Sequence, residues 1–314
     1  MQSHESQRLV QCLKNHDISR RTFMSQAMAL GLTVGAASTL ANSALASTPK
    51  RGGVYRVGAS TGSPSNVLDP ALPGDTSMRS ISYAISNCLI EVAPDGQLIP
   101  ELAESWETSD GLTWAFNIRK GVEFHNGRSL TPTDVVASIN HHRGEASKSS
   151  AKALVDEVED ISIDGNSVVM KLSQPNVGFP VNMSFWQFNI LPANEDGSID
   201  WQSGIGSGGY SLVDFQPGIA TKLKRNPNYW KEGRAHFDEV EMSVIVDTTA
   251  RTTALTTGEI DAMEDPDLKT VNLLKRQSGI NIIELPGKKH YTYAMLTDQA
   301  PFDNVDVRLA LKLA

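Results

Sequence analysis

The chain has 314 residues, 40% hydrophobic and 20% charged. That is ordinary globular composition, with apolar material for more than one core, and it excludes disorder as the general state. With 28 Lys and Arg against 36 Asp and Glu, the net charge is −8, which excludes a surface built to grip nucleic acid.

Residues 1–46 read differently from the rest. A polar stretch ends in Ser19-Arg20-Arg21-Thr22-Phe23-Met24, and a run rich in Ala, Gly, Leu, Thr and Ser follows it. The run from Ala27 to Leu45 is only mildly apolar and is broken by Gly31, Gly35 and Asn42, so a membrane span is not expected. It closes on Ala44-Leu45-Ala46, with small residues where a signal peptidase requires them, and cleavage is expected after Ala46. The pair Arg20-Arg21 before Phe23, ahead of a weakly hydrophobic run, resembles a twin-arginine export signal and predicts a periplasmic protein. Four cations and two acids lie in this segment, so its removal takes the net charge from −8 to −10. Cys12 leaves with it, Cys88 remains alone, and no intramolecular disulfide is expected in the mature chain.

Along the remainder, Gly53-Val54-Tyr55-Arg56-Val57-Gly58 predicts a first strand. After a Gly/Ser/Pro-rich loop, Met78, Ile81, Ile85, Cys88 and Leu89 recur at helical spacing, which makes Cys88 a buried helix residue. Pro94-Asp95-Gly96 predicts a turn, and residues 113–119 a strand with Trp114, Phe116 and Ile118 on one face. Thr131-Pro132-Thr133-Asp134 marks a helix start with Val135, Val136 and Ile139 on its buried side. Gly165-Asn166, between two alternating runs, predicts a hairpin. Val240 to Val246 reads as a strand, and Asp247 as the cap of a helix stopping at Gly258. Gly279 closes a second helix, with strands at 280–285 and 290–296 after it. The mixed order predicts an α/β or α+β protein.

Two motifs invite chemistry. Gly204-Ile205-Gly206-Ser207-Gly208-Gly209 has the spacing of a dinucleotide-binding turn, yet Tyr210 to Phe215 behind it alternates like a strand where that motif needs a helix, so a nucleotide site is not expected. His141 and His142 are adjacent, so on a helix they point about 100° apart; they read as solvated residues at a helix end. His125 reads as a turn residue. No nucleophile elbow, zinc-protease pair or Cys/His arrangement occurs, and nothing requires an enzyme.

Several stretches resemble the family of extracellular solute-binding proteins that serve dipeptide, oligopeptide and related ABC importers. They are Leu102 to Glu107, Gly111 to Gly127, Leu130 to Val135, Gly206 to Tyr210, Arg225-Asn226-Pro227-Asn228-Tyr229-Trp230, Phe237 to Val240, Gly258-Glu259-Ile260-Asp261, and Pro301 to Asn304 leading into Val307 to Leu311. The pattern departs at Gly209-Tyr210, where Gly-Pro-Tyr is usual, and at Leu296-Thr297, where Asn is usual. The resemblance implies a periplasmic-binding-protein-like type II fold, two lobes closing on a solute. Residues 47–92 and 196–285 would form the first lobe, 93–195 an inserted subdomain, and 286–314 the start of a second lobe whose remainder lies beyond residue 314. It further implies a ligand-binding set of Gly74, Asp75, Thr76, Ser77, Glu264, Asp265, Tyr291 and Tyr293, with the carboxylates available to an ammonium group. A peptide or similar small solute, inner-membrane permease and ATPase subunits, a monomeric state and no cofactor or metal complete the expectation. Trp186 reads as core before cleft wall. An exported cofactor-carrying enzyme and a chemosensory receptor stay open as alternatives.

Overall fold

A computed structural model of the chain describes residues 2–14, 18–45, 50–284 and 294–313. It falls into two compact units, one ending at Asp265 and one beginning at Pro266.

The N-terminal segment forms three helices, α1 (Gln2–Lys14), α2 (Arg20–Ala29) and α3 (Val34–Leu45). Ser19 caps α2 by accepting from the Thr22 N–H, so Arg20 and Arg21 occupy its first turn. Leu13, Phe23, Ala27 and Ala37 are buried among the three helices. No helix among the described residues is long and apolar enough to cross a membrane. Ala44 falls within α3, and Ala46 lies outside the described residues.

A five-stranded sheet follows, built from β1 (Val54–Ala59) and four strands more than 150 residues later. Between them come α4 (Thr76–Ile85), the hairpin of β2 (Ile90–Val92) and β3 (Leu98–Pro100), and a second sheet. That second sheet contains β4 (Ala103–Glu107), β5 (Thr113–Ile118), β6 (Val158–Asp164) and β7 (Ser167–Leu172), with α5 (Pro132–Asn140) between β5 and β6. The chain then returns through β8 (Tyr210–Gln216), β9 (Ala220–Arg225), β10 (Glu239–Val244), α6 (Thr248–Thr257) and β11 (Ala262–Met263).

The five-stranded order is β11-β1-β10-β9-β8. β1 runs parallel to both neighbours, pairing Ala59 with Val244 and Gly58 with Met263, while β9 and β8 are antiparallel. Helix α4 lays Met78, Ile81 and Ile85 against Ala59, Leu223, Val240 and Met242, each large side chain contributing about 2 kcal/mol of burial. Asp75 caps this helix through the Met78 N–H, and the chain leaves the helical path at Ser86. Cys88 is therefore buried beyond the helix, not on it.

The second sheet is antiparallel, in the order β4-β5-β7-β6. Its period-2 pattern turns Trp114, Phe116 and Ile118 of β5 and Val168, Met170 and Leu172 of β7 into one core with Val135, Ile139, Phe179 and Phe188. Gly165 takes the left-handed conformation that the β6–β7 hairpin needs.

At the start of α5, the fully buried Asp134 carboxylate accepts from the Thr131 N–H and Oγ, from the Ala193 N–H, and from Arg128 at 2.5 Å. Asp134→Ala should cost roughly 2–3 kcal/mol, because it removes a cap and leaves buried donors unpaired. Denaturant midpoints at unchanged slope check this.

His142 differs from its reading. It is fully buried, with Nδ1 2.6 Å from Ser149 Oγ and its ring edge-on to Phe188. His141 faces outward and meets Asp69 at 2.8 Å. Two adjacent helix-end residues thus split between core and rim.

Helix α6 is bounded as its sequence dictates, by the Asp247 cap and by Gly258 in the left-handed conformation. In the second unit, α7 (Val271–Leu274) is a single turn. Residues 281–284 and 294–296 are irregular, where strands were expected, because an alternating run becomes a strand only against a paired edge. The rest of those two expected strands lies outside the described residues. The unit ends in α8 (Val305–Leu313).

Candidate functional site

In an open α/β sheet the crevice beyond the carboxyl ends of parallel strands is where ligands are taken. Here that edge is made by Ser60 after β1, Ile245 after β10, and Glu264 and Asp265 after β11. Glu264 Oε1 accepts from the Ser60 N–H at 3.1 Å and lies 2.9 Å from Ser60 Oγ, which is also 3.3 Å from Asp265 Oδ2. A single hydroxyl proton is shared between two carboxylates. Asp265 holds the left-handed backbone at φ 48°, a conformation uncommon outside glycine and frequent at functional sites.

The next wall is the loop into α4. Thr61 Oγ1 accepts from the Thr76 N–H at 3.0 Å. Asp75 takes Ser77 Oγ and the Met78 N–H on Oδ1 and the Asn66 amide on Oδ2. Burial acts to raise its pKa, but the hydrogen bonds from Asn66, Ser77 and Met78 outweigh it and leave the carboxyl below the ordinary value. The Asp75 carboxylate is thus engaged in shaping the loop. Gly74 is required by packing, since a Cβ there would lie 2.7 Å from the Trp186 ring. Trp186 is itself buried and supports the loop from beneath. The sites named in advance therefore divide into the loop Gly74–Ser77 and the pair Glu264–Asp265, both on the crevice edge. Tyr291 and Tyr293 lie outside the described residues.

Sequence reasoning missed two participants. Ser60 carries no motif. Arg251 of α6 is 2% exposed, and its guanidinium reaches four main-chain oxygens, of Ile245, Val246, Glu264 and Asp265. Carbonyl partners leave no mark in sequence, so no signal could have found it.

A second concavity, of about 600 Å³, lies at the far end of α4 and is lined by Tyr83, Asn87, Glu101, Tyr229, Lys231 and Arg234 among others. Burial pushes the Glu101 carboxyl up to about 7, against the opposing pull of Lys231 and Asn87. Its charges are matched internally: Lys231 pairs with Glu91 and approaches Glu101 at 3.7 Å.

The Gly-rich stretch is a packing device. A Cβ on Gly206 would sit 2.1 Å from the Ile85 carbonyl oxygen, and one on Gly208 would sit 2.4 Å from that of Ala84. His125 clamps the same loop, with Nδ1 accepting from the Gly206 N–H and Nε2 3.1 Å from the Gly208 carbonyl. These two contacts fix the tautomer protonated on Nε2. Among the described residues no group of three His, Cys, Asp or Glu side chains could hold a metal ion.

The fold and its strand-end crevice define a periplasmic-binding-protein-like α/β protein. The solved structure of the binding protein AgaA from A. tumefacien R10, in complex with agropinic acid, aligns with a TM-score of 0.66 at 28% identity, over 72% of this chain and 46% of that one. The family model for bacterial extracellular solute-binding proteins, family 5 Middle, matches residues 97–314, and the chain belongs to that family. Among curated relatives, it is 32% identical over 270 residues to heme-binding protein A of Haemophilus influenzae, covering 76% of this chain and 49% of the relative. It is 26% identical over 284 residues to the dipeptide-binding protein of Escherichia coli, covering 81% and 53%. The chain spans about half the length of the curated relatives it matches.

Proposed function

We propose that this chain is the first-lobe portion of a periplasmic solute-binding component of a bacterial ABC importer, which captures a peptide or related small solute and delivers it to the permease. Membership of the solute-binding family across residues 97–314 carries the reading. The names of the relatives, one a dipeptide binder and one a heme binder, and the agropinic acid held by AgaA set the range of solutes to test. The function is binding and release, with no catalytic step.

In this reading the crevice edge of Gly74, Asp75, Thr76, Ser77, Glu264 and Asp265 is part of a cleft, and a second lobe supplies the rest. Ligand bridging the halves favours the closed state, because only there are both sets of contacts made. The twin-arginine-type segment with Arg20 and Arg21 directs export, cleavage follows Ala46, and the mature protein works as a monomer with the membrane permease and ATPase subunits.

The test is a thermal shift on the full-length protein, freed of bound solute and offered dipeptides, opines and heme. At least one should raise the melting temperature by several degrees, as expected for saturating ligand. Glu264→Gln should weaken an ammonium-bearing ligand about tenfold, the value of one charged hydrogen bond. Absence of any shift across the panel sinks the proposal.

A further inference from the structure

The crevice edge stands on a buried cation that has no carboxylate partner among the described residues. Arg251 is 2% exposed, and no described Asp or Glu forms an ion pair with it. A buried charge is tolerated only when its donors are satisfied. Those of Arg251 go to main-chain oxygens on two separate loops. Nη1 lies 2.5 Å from Ile245 O and 3.1 Å from Val246 O, beyond β10. Nε lies 3.3 Å from Glu264 O and Nη2 3.0 Å from Asp265 O, beyond β11. The planar fork of donors is what lets one side chain span both loops.

Two of the four peptide oxygens it holds belong to the residues whose carboxylates meet Ser60, one of them in the left-handed conformation. Room for the guanidinium stem is made on the adjacent strand. A Cβ on Gly58 would lie 2.7 Å from Ile260 Cδ1 and 3.1 Å from Arg251 Cγ. Gly58 is thus the recess, Arg251 the bracket, and Glu264–Asp265 the part held in place.

We infer that Arg251 is a positioning residue for the solute-facing edge: by fixing the main chain at Glu264 and Asp265 it aims their carboxylates across Ser60 toward an ammonium-bearing ligand, and Gly58 is its required partner. This rests on the proposed binding function for the choice of ligand, but not for the geometry.

Two measurements test it, with Arg251→Lys and Gly58→Ala as variants. Lysine keeps the charge but cannot span both loops. Alanine suits a strand and acts only by displacing the stem and its neighbour Ile260. Amide hydrogen exchange on the 314-residue chain needs no ligand. In both variants the Ser60 N–H, which donates to Glu264, should exchange at least tenfold faster, while the amides of Leu223 in β9 and Val168 in β7 keep their protection. Unchanged Ser60 exchange in either folded variant overturns the inference.

The second measurement is calorimetric titration of the full-length protein with the dipeptide Lys-Ala. Arg251→Lys and Glu264→Gln should each weaken binding about tenfold, and the double variant should be weaker than either alone by well under a further tenfold, because Arg251 acts through Glu264 as well as through Asp265. Full additivity overturns it. If the unaltered protein binds no Lys-Ala, the choice of ligand class fails while Ser60 exchange still decides the positioning role.

Discussion

Gly208→Ala is expected to destabilise the protein by about 3 kcal/mol or more, with near-complete loss of soluble folded material for Gly206→Ala. Ordinary overpacking costs about 1–3 kcal/mol because neighbouring side chains move aside. Here the obstruction is main chain: the added carbon at 208 would lie 2.4 Å from both the Ala84 oxygen and the Ile85 carbonyl carbon, and at 206 it would lie 2.1 Å from the Ile85 oxygen. Those atoms end α4, the helix that carries the crevice loop at its other end, and the Gly208 N–H donates to the Ile85 carbonyl at 2.9 Å. Relief would require breaking that bond and the His125 clamp together. Gly233→Ala is the control, since a Cβ there meets nothing within 4 Å and the cost arises only from φ 71°; it should lose about 1 kcal/mol. Urea midpoints of Gly208→Ala and Gly233→Ala, with the soluble yield of Gly206→Ala, give the ranking. A deficit at 208 no larger than at 233 would refute close packing as the reason for glycine. Dinucleotide should protect none of them.

The same stretch shows what sequence could and could not carry. The strand behind Gly209 was enough to reject a phosphate cradle, because alternation from Tyr210 is local. What the glycines do instead depends on the end of α4 some 120 residues earlier, and no local pattern encodes that approach. The rule held elsewhere. Caps at Thr131 and Asp247, the Gly165 hairpin and the inward face of β5 were legible because each is written in a few adjacent residues. At the crevice, Glu264 and Asp265 were reached through family resemblance, whereas Ser60 and Arg251 were not, since Ser60 belongs to no motif and Arg251 works through carbonyls. His142 was misjudged because helix-end histidines are usually solvated, and Ser149, its partner, comes from a loop whose path the sequence does not state.

His142 and Glu101 should give the stability of this protein opposing pH slopes that cancel in the unaltered chain and separate in variants. Burial holds the His142 pKa down at about 4, with the neighbouring His141 acting the same way. Protons then bind the unfolded chain before the native one, so His142 contributes stability that is complete above pH ~6.5 and is lost as the pH falls toward 4. Glu101 is the reverse. Burial lifts its carboxyl to about 7, so the native state holds a proton that the unfolded state has released. Its contribution is complete below pH ~4.5 and is lost as the pH rises toward 7. Each effect amounts to about 3 kcal/mol at its limit, and between pH ~4.5 and 6.5 each has a slope of about 1.4 kcal/mol per pH unit, opposite in sign. Glu101→Gln keeps one acceptor oxygen where the carboxylate offers Oε1 to the Asn87 amide and Oε2 to the Cys88 N–H, which lowers its stability at every pH. It also removes one slope, so its stability should climb with pH through that window. His142→Phe fills the site beside Phe188 and removes the other, so its stability should fall with pH. Asp69 and Asp75, both held below the usual carboxylate value after hydrogen bonds overcome burial, add a loss below pH ~4 common to all three proteins. The difference between variants across the window therefore isolates the two buried groups. Parallel curves for the unaltered protein and both variants would show that neither group is held away from its ordinary titration.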